Sequence, residues 1–262
     1  MNLRTVNVTR YIQPLREGGS LPALAEADDG FKYVVKFRGS GHGSKALISE
    51  LLGGVVARKL KLKIPELVFI QLDEAFGLRQ ADEEIQDLLR ASRGLNLGLH
   101  FLTGALPFDP VTTQPNAQLS SRIVWMDSFM TNVDRTVKNT NMLMWHKELW
   151  LIDHGSTLYF HHNRTNWEKA SVNLFQYVKE HVLLPFTTES ELVSADEYGK
   201  QILTDDVLHE LTNLIPDEWT GWKEDDETAD DIRQVYFQFL SNRLKHSDIF
   251  LNEALNARKV LI

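Results

Sequence analysis

Asp134 and Asn139 stand five residues apart in the polar run Asn132-Val133-Asp134-Arg135-Thr136-Val137-Lys138-Asn139-Thr140-Asn141, and Asp153 follows in Leu151-Ile152-Asp153-His154-Gly155. These types suit phosphoryl transfer. That reaction needs a carboxylate near the acceptor hydroxyl and hard oxygen ligands for Mg²⁺ where it bridges the phosphates.

Two further ionisable residues stand where ions are costly. Lys36 lies between Val35 and Phe37. A strand alternates its faces, so Lys36 shares one with Val34 while Val35 and Phe37 share the other. An ammonium among apolar neighbours either reaches water along its stem or meets an anion. Glu50, read as helical, has Ala46, Leu47, Gly53 and Gly54 three and four positions away and Ala57 at seven. That small, apolar face points Glu50 inward, and a buried carboxylate needs a partner. Lys36 is the natural one, because the helix follows its strand directly.

The elements that must position these residues follow from pattern and punctuation. Thr5 to Leu15, Leu21 to Ala27 and Phe31 to Arg38 read as a three-stranded meander. Its turns are Arg16-Glu17-Gly18-Gly19-Ser20 and the hairpin signal Asp28-Asp29-Gly30. Pro22 suggests an edge for the second strand. After the loop Gly39-Ser40-Gly41-His42-Gly43, the spacing of Leu47, Leu51 and Val55 predicts a helix over 44–62. Strands are expected over 64–72 and 95–102, with a short exposed helix over 82–92 between them. Gly104 to Pro115 reads as a boundary. A helix over 116–130, the polar loop 131–140, and strands over 141–145 and 148–152 around a tight turn at His146-Lys147 come next. Helices are expected over about 167–184, 189–203, 205–214 and 227–258. Strands first and helices later predict the α+β class.

Taken together, the order of parts resembles the HipA-like kinases and, more distantly, the phosphatidylinositol kinases. The resemblance rests on Tyr33-Val34-Val35-Lys36, on Ser49-Glu50-Leu51-Leu52 in a helix ending Leu60-Lys61-Leu62-Lys63-Ile64-Pro65, on Asp134-x-x-x-Lys138-Asn139 and on Leu151-Ile152-Asp153. It covers about residues 16–160. Protein kinases likewise place a catalytic Asp and a metal-binding Asn five residues apart, then an Asp-x-Gly after a hairpin strand. The Lys138-Asn139 pair is HipA-like, whereas Asp134-Arg135 looks more like the lipid kinases.

The resemblance implies a two-lobed protein-kinase-like fold: a nucleotide-binding lobe over 1–105, with a small sheet and one helix, and a mainly helical catalytic lobe over 106–262. It implies ATP with Mg²⁺ (or Mn²⁺) and transfer of the γ-phosphoryl to a hydroxyl acceptor, foremost Ser or Thr of a protein, with a small molecule or lipid as alternatives. Lys36 would contact the α/β-phosphates and pair with Glu50. Asp134 would orient the acceptor hydroxyl, and Asn139 and Asp153 would hold the metal. Gly18, Gly19 and Ser20 sit where a phosphate-covering loop belongs. Gly39, Gly41 and Gly43 are their rival, since they precede a helix N-terminus. Two departures keep a non-catalytic nucleotide-binding or scaffold protein open: Thr136 stands where these families often have His, and His154 stands in place of the usual aromatic.

Composition limits the other classes. The chain has 262 residues, 43% of them hydrophobic, enough for one large domain or two lobes around a cleft. A net charge of −8 disfavours nucleic acid as a partner, because such proteins usually present a basic face. There is no cysteine, so disulfide and thiolate chemistry is excluded. No signal-like apolar segment follows Met1, and no apolar run approaches the length of a membrane span, so a cytoplasmic protein is expected without a membrane partner. His161-His162 matches no metal-ligand spacing and reads as ordinary histidines. The acidic run Glu224-Asp225-Asp226-Glu227 reads as a solvated helix start, and Trp219 and Trp222 as core or lid packing.

Overall fold

The structure, a computed structural model, describes residues 2–15, 21–41, 43–73, 82–224 and 226–261. Strands β1 (Thr5–Pro14), β2 (Ala23–Ala27) and β3 (Lys32–Lys36) form the antiparallel meander expected. Helix α1 (Gly43–Lys59), strand β4 (Leu67–Leu72), helix α2 (Glu83–Ala91) and strand β5 (Gly94–His100) follow. β5 inserts between β3 and β4, and β4 pairs in parallel with β1, so the five strands close into a barrel in the order β1-β2-β3-β5-β4. Pairing with β1 and β3 leaves β2 flanked on both sides, which corrects the edge position inferred from Pro22. Pro22 is tolerated because it precedes the ladder, where its carbonyl accepts the Leu15 N–H at 2.7 Å.

Alternation decides what each barrel strand shows. Val6, Val8, Ala23, Ala25, Tyr33, Val35, Phe37, Val68 and Ile70 fill the barrel. Val34, Leu97 and Leu99 point the other way, into the main core of the molecule. Lys36, two residues from Val34, therefore leaves the barrel on its outer side.

Beyond the barrel, β6 (Leu106–Pro107), β7 (Met142–Trp145) and β8 (Glu148–Leu151) make a second antiparallel sheet, with α3 (Ala117–Met130) inserted between β6 and β7. Both His146 and Lys147 have positive φ, +49° and +65°, as a two-residue turn between right-twisted strands requires. Helices α4 (Trp167–Ser171), α5 (Glu189–Ile202), α6 (Asp205–Thr212), α7 (Ala229–Lys245) and α8 (Ser247–Val260) complete the chain. The organisation is mixed α+β, strands first and helices after.

Two expected helices are shorter than predicted. The helix expected over 167–184 ends at Ser171, and 3₁₀ turns at Gln176–Glu180 and Leu184–Phe186 replace the rest. There the backbone is drawn elsewhere: the Val182 N–H donates to the Arg135 carbonyl at 3.1 Å, and the Asn173 carbonyl accepts from Arg243 at 3.1 Å. The helix expected over 227–258 breaks at His246, whose φ and ψ are −110° and 32°. The break lets α8 fold back, bringing Phe250 against Trp125 and Phe129 of α3.

Helix α1 is buried almost all round from Leu47 to Ala57. A helix apolar on every side belongs inside a fold. Here α1 lies between the barrel and the C-terminal helices, and the latter reach back over the barrel. Trp219 is fully buried, packs edge-on against Phe69 of β4 and donates its indole N–H to the Leu95 carbonyl of β5 at 2.9 Å. Glu218 Oε2 accepts the Leu95 N–H at 3.1 Å and pairs with Arg38 at 3.2 Å. The acidic run is not idle: Glu224 and Glu227, its first and last residues, pair with Arg164.

Candidate active site

Lys36 Nζ lies 2.6 Å from Glu50 Oε2 and 2.6 Å from Asp153 Oδ1. β3 supplies the ammonium from its outer face, α1 supplies Glu50 from its small-residue face, and the turn after β8 supplies Asp153. Glu50 is fully buried, as its neighbours predict. Burial opposes its ionisation, but Lys36 and the His154 side chain, whose Nδ1 stands 3.7 Å from Oε1, outweigh that and bring its pKa down to about 2; the His154 N–H also donates to Oε2 at 2.8 Å. Burial alone would lower the pKa of Lys36, and the two carboxylates more than offset it, so it is raised. The Lys36–Glu50 pair is thus ionised at neutral pH.

The turn that carries Asp153 is under constraint. Asp153 has φ +54°, in the left-handed region that non-glycine residues rarely adopt. Such outliers cluster at functional sites, where surrounding structure holds them. Gly155 lies against the triad: a Cβ there would be 3.4 Å from Asp153 Oδ1 and 3.9 Å from Lys36 Nζ. Gly53 of α1 brings the helix directly onto His154. Glu50 Oε1 and His154 Nε2 are buried with no hydrogen-bond partner among the described residues.

A cleft of about 400 Å³ opens over this triad. Val34 and Leu99 line it from the barrel, Leu143 from the second sheet and Ile152 from just beyond it, and Lys36, Asn139, Asn141 and Asp153 give it a polar end. Asp134 stands behind Asn139: its Oδ2 accepts from Asn139 Nδ2 at 2.9 Å and from Asn141 Nδ2 at 3.3 Å. The structure therefore brings Lys36, Glu50, Asp134, Asn139 and Asp153 into one contiguous group. Gly18, Gly19 and Ser20 lie outside the described residues, although Leu15 and Pro22 on either side of them line the cleft. Gly39, Gly41 and Gly43 do not line it, and Gly39 packs on α2 instead, where a Cβ would meet that of Ala91 at 2.5 Å.

Sequence reasoning missed Asn141, Asp127 and His181. Asn141, at φ +49°, also donates to the Asp134 carbonyl at 2.8 Å and so folds the loop around that residue. Asp127 is a fully buried carboxylate on α3, amid Ile123, Val124, Trp125, Met126 and Phe129. A charge inside so apolar a run was the available signal. The histidines 161 and 162 stand apart from the site. His161 is buried and its Nδ1 meets the Tyr236 hydroxyl at 2.9 Å. Among the described residues, no group of three or more His, Asp or Glu side chains has a metal-binding arrangement, and no helix is long and apolar enough to cross a membrane.

The molecule is a small barrel carrying one inserted buried helix, followed by a mainly helical region. A crystal structure of a Helicobacter pylori proinflammatory kinase, CtkA, is similar to it with a TM-score of 0.55 at 12% identity, over 98% of this chain and 99% of that one. The chain belongs to the HipA-like kinase family, whose profile matches residues 8–250, and is a phosphotransferase of the kinase type. No curated protein matches it.

Proposed function

We propose that the cleft takes ATP between two lobes, divided near residue 105, and that the enzyme transfers the γ-phosphoryl to a hydroxyl, foremost that of Ser or Thr in a protein. The observation that carries this reading is the contact of Lys36 Nζ with both Glu50 and Asp153 at the polar end of a cleft with apolar walls. The apolar walls at Val34, Leu99, Leu143 and Ile152 suit a planar base, and the polar end suits phosphates. Asn139 and Asp153 fit Mg²⁺ or Mn²⁺, which takes one or two protein oxygens and completes its shell with phosphate and water. The bound metal would supply charge neutralisation on the phosphates.

Within that reading, Lys36 holds the phosphates, and Glu50 keeps Lys36 charged and aimed. Asp134 receives the acceptor hydroxyl; its Oδ2 is held by Asn139 and Asn141, which fixes its direction. Leu15 and Pro22 at the rim support Gly18, Gly19 and Ser20 as the loop over the phosphates. Among the described residues, no contact in the cleft selects the acceptor. Thr136, where related enzymes often carry His, supports a second reading, a nucleotide-binding protein without transfer activity.

Incubation with γ-labelled ATP and Mg²⁺ or Mn²⁺, alone and with generic protein acceptors, tests both readings beside Asp134→Ala and Asp153→Ala. Label transfer or ATP turnover lost in both variants is expected. ATP binding without turnover would favour the second reading. Absence of both binding and turnover would overturn both readings.

A further inference from the structure

We infer that Asp127, Arg135 and His181 form a positioning network that holds the Asp134 loop in register with the segment after α4; the inference rests on the catalytic role proposed for Asp134. Asp127 is the hub. Its Oδ2 accepts from Arg135 Nε at 2.5 Å and from His181 Nε2 at 2.9 Å, and its Oδ1 accepts from Asn132 Nδ2 at 2.9 Å. All four side chains are buried. They come from three separate pieces of chain: α3, the loop bearing Asp134, and the segment around His181.

The network does more than neutralise a buried charge. Arg135 also donates to the carbonyl of Asn141 at 2.5 Å, so one side chain fixes both ends of the loop that contains Asp134 and Asn139. Asn132 Oδ1 accepts the Asp134 N–H at 3.1 Å. Across the loop, Thr136 forms an antiparallel bridge with His181, and the Val182 N–H donates to the Arg135 carbonyl. His181 therefore binds the loop twice, by its backbone and, through Asp127, by its ring. The ring's tautomer follows from its partners: Nδ1 accepts the Leu183 N–H at 3.0 Å, so the proton is on Nε2, facing Asp127.

The two ring nitrogens allow the positioning role to be separated from a local structural one. His181→Gln places a donor near the Nε2 position and keeps the link to Asp127. His181→Asn places an acceptor near the Nδ1 position and keeps only the link to Leu183. With labelled ATP as substrate, His181→Gln is expected to retain kcat within about threefold, and His181→Asn to lose kcat by about tenfold or more with KM for ATP little changed. Amide exchange of residues 133–141 is expected to quicken by about tenfold in His181→Asn while exchange in the barrel does not change. Equal kcat in the two variants, or faster exchange spread over barrel and loop alike, would overturn the inference. The exchange measurement needs no turnover, so it decides the network's role in holding the loop even if the wild-type protein transfers no label. Asp127→Asn is the harsher variant, and the neutral His181 pair does not depend on its folding.

Discussion

Gly53 of α1 and His154 of the turn after β8 are packed so closely that a Cβ on Gly53 would lie 2.5 Å from the Cβ of His154 and 2.8 Å from its Cγ. This contact sets how near Glu50, on the same helix, comes to Lys36 and to the His154 N–H. Replacing Gly by Ala within a helix ordinarily stabilises by about 1 kcal/mol. At Gly53 the added methyl must push α1 off the turn, an overpacking cost of about 1–3 kcal/mol. Gly53→Ala is therefore expected to lower the urea midpoint. A midpoint above that of the wild type would show that the helix and the turn can separate freely.

The Lys36–Glu50 pair offers a second test. Lys36→Met leaves Glu50 buried without its cation, which costs about 3–5 kcal/mol. Adding Glu50→Gln removes the stranded charge, so the double variant is expected to be more stable than Lys36→Met alone. Urea unfolding of the three variants measures the coupling. Strictly additive losses would mean that the two side chains do not depend on each other.

Arg243 is a buried cation of a different kind. Among the described residues no carboxylate meets it; its guanidinium instead takes the carbonyls of Ser128 and Phe129 at the end of α3, and those of Ser171, the last residue of α4, and Asn173 beyond it. Burial lowers its pKa to about 10. The C-terminal carbonyls of a helix favour a cation, which explains how the charge is tolerated there. Arg243→Met would orphan several carbonyls, each worth about 1–3 kcal/mol when left buried and unpaired. A fall in Tm of about 5–10 °C is expected for a loss of about 2–4 kcal/mol. An unchanged melting curve would refute this role.

Acid should weaken the fold through its buried histidines. Burial, with His162 and Lys45 adding to it, pushes His161 down to about 3. His181 is lowered too, burial and Arg135 together outweighing Asp127. A folded pKa below the unfolded value near 6.5 means that the unfolded chain binds more protons between the two. For His161 stability is then full above about pH 6.5 and falls on acidification toward about pH 3, by about 1.4 kcal/mol per pH unit, and His181 adds a loss of the same sign. Urea unfolding at pH 7.5 and 5.5 should show the drop, and His161→Gln should reduce it. A drop of the same size in that variant would assign the effect elsewhere.

What could be read from the sequence was what is local. The face that Lys36 shares with Val34 follows from alternation, and the inward turn of Glu50 follows from the small residues around it. Both come from neighbours a few positions away. The parallel pairing of β1 with β4 has no local signal, since it depends on which strand the chain meets after α1. Two-residue β6 exists only because β7 runs beside it. The break at His246 falls in a stretch with neither Gly nor Pro, because the packing of Phe250 on α3 imposes it. The same holds for the site: Asp134, Asn139 and Asp153 were legible as spaced oxygens, whereas His181 joins Asp127 across 54 positions.

Trp219 completes the packing behind β4 and β5, although it is encoded 124 positions after the Leu95 carbonyl it binds. A ribosome releases the barrel strands and α1 long before it adds this residue. The nascent barrel must therefore wait, with Phe69 and the buried sides of α1 uncovered, until most of the chain has emerged. Final assembly of the cleft is in this sense tied to the completion of synthesis: a fragment halted before Trp219 would carry Lys36, Glu50, Asp134, Asn139 and Asp153, yet lack the piece that seats the barrel behind them.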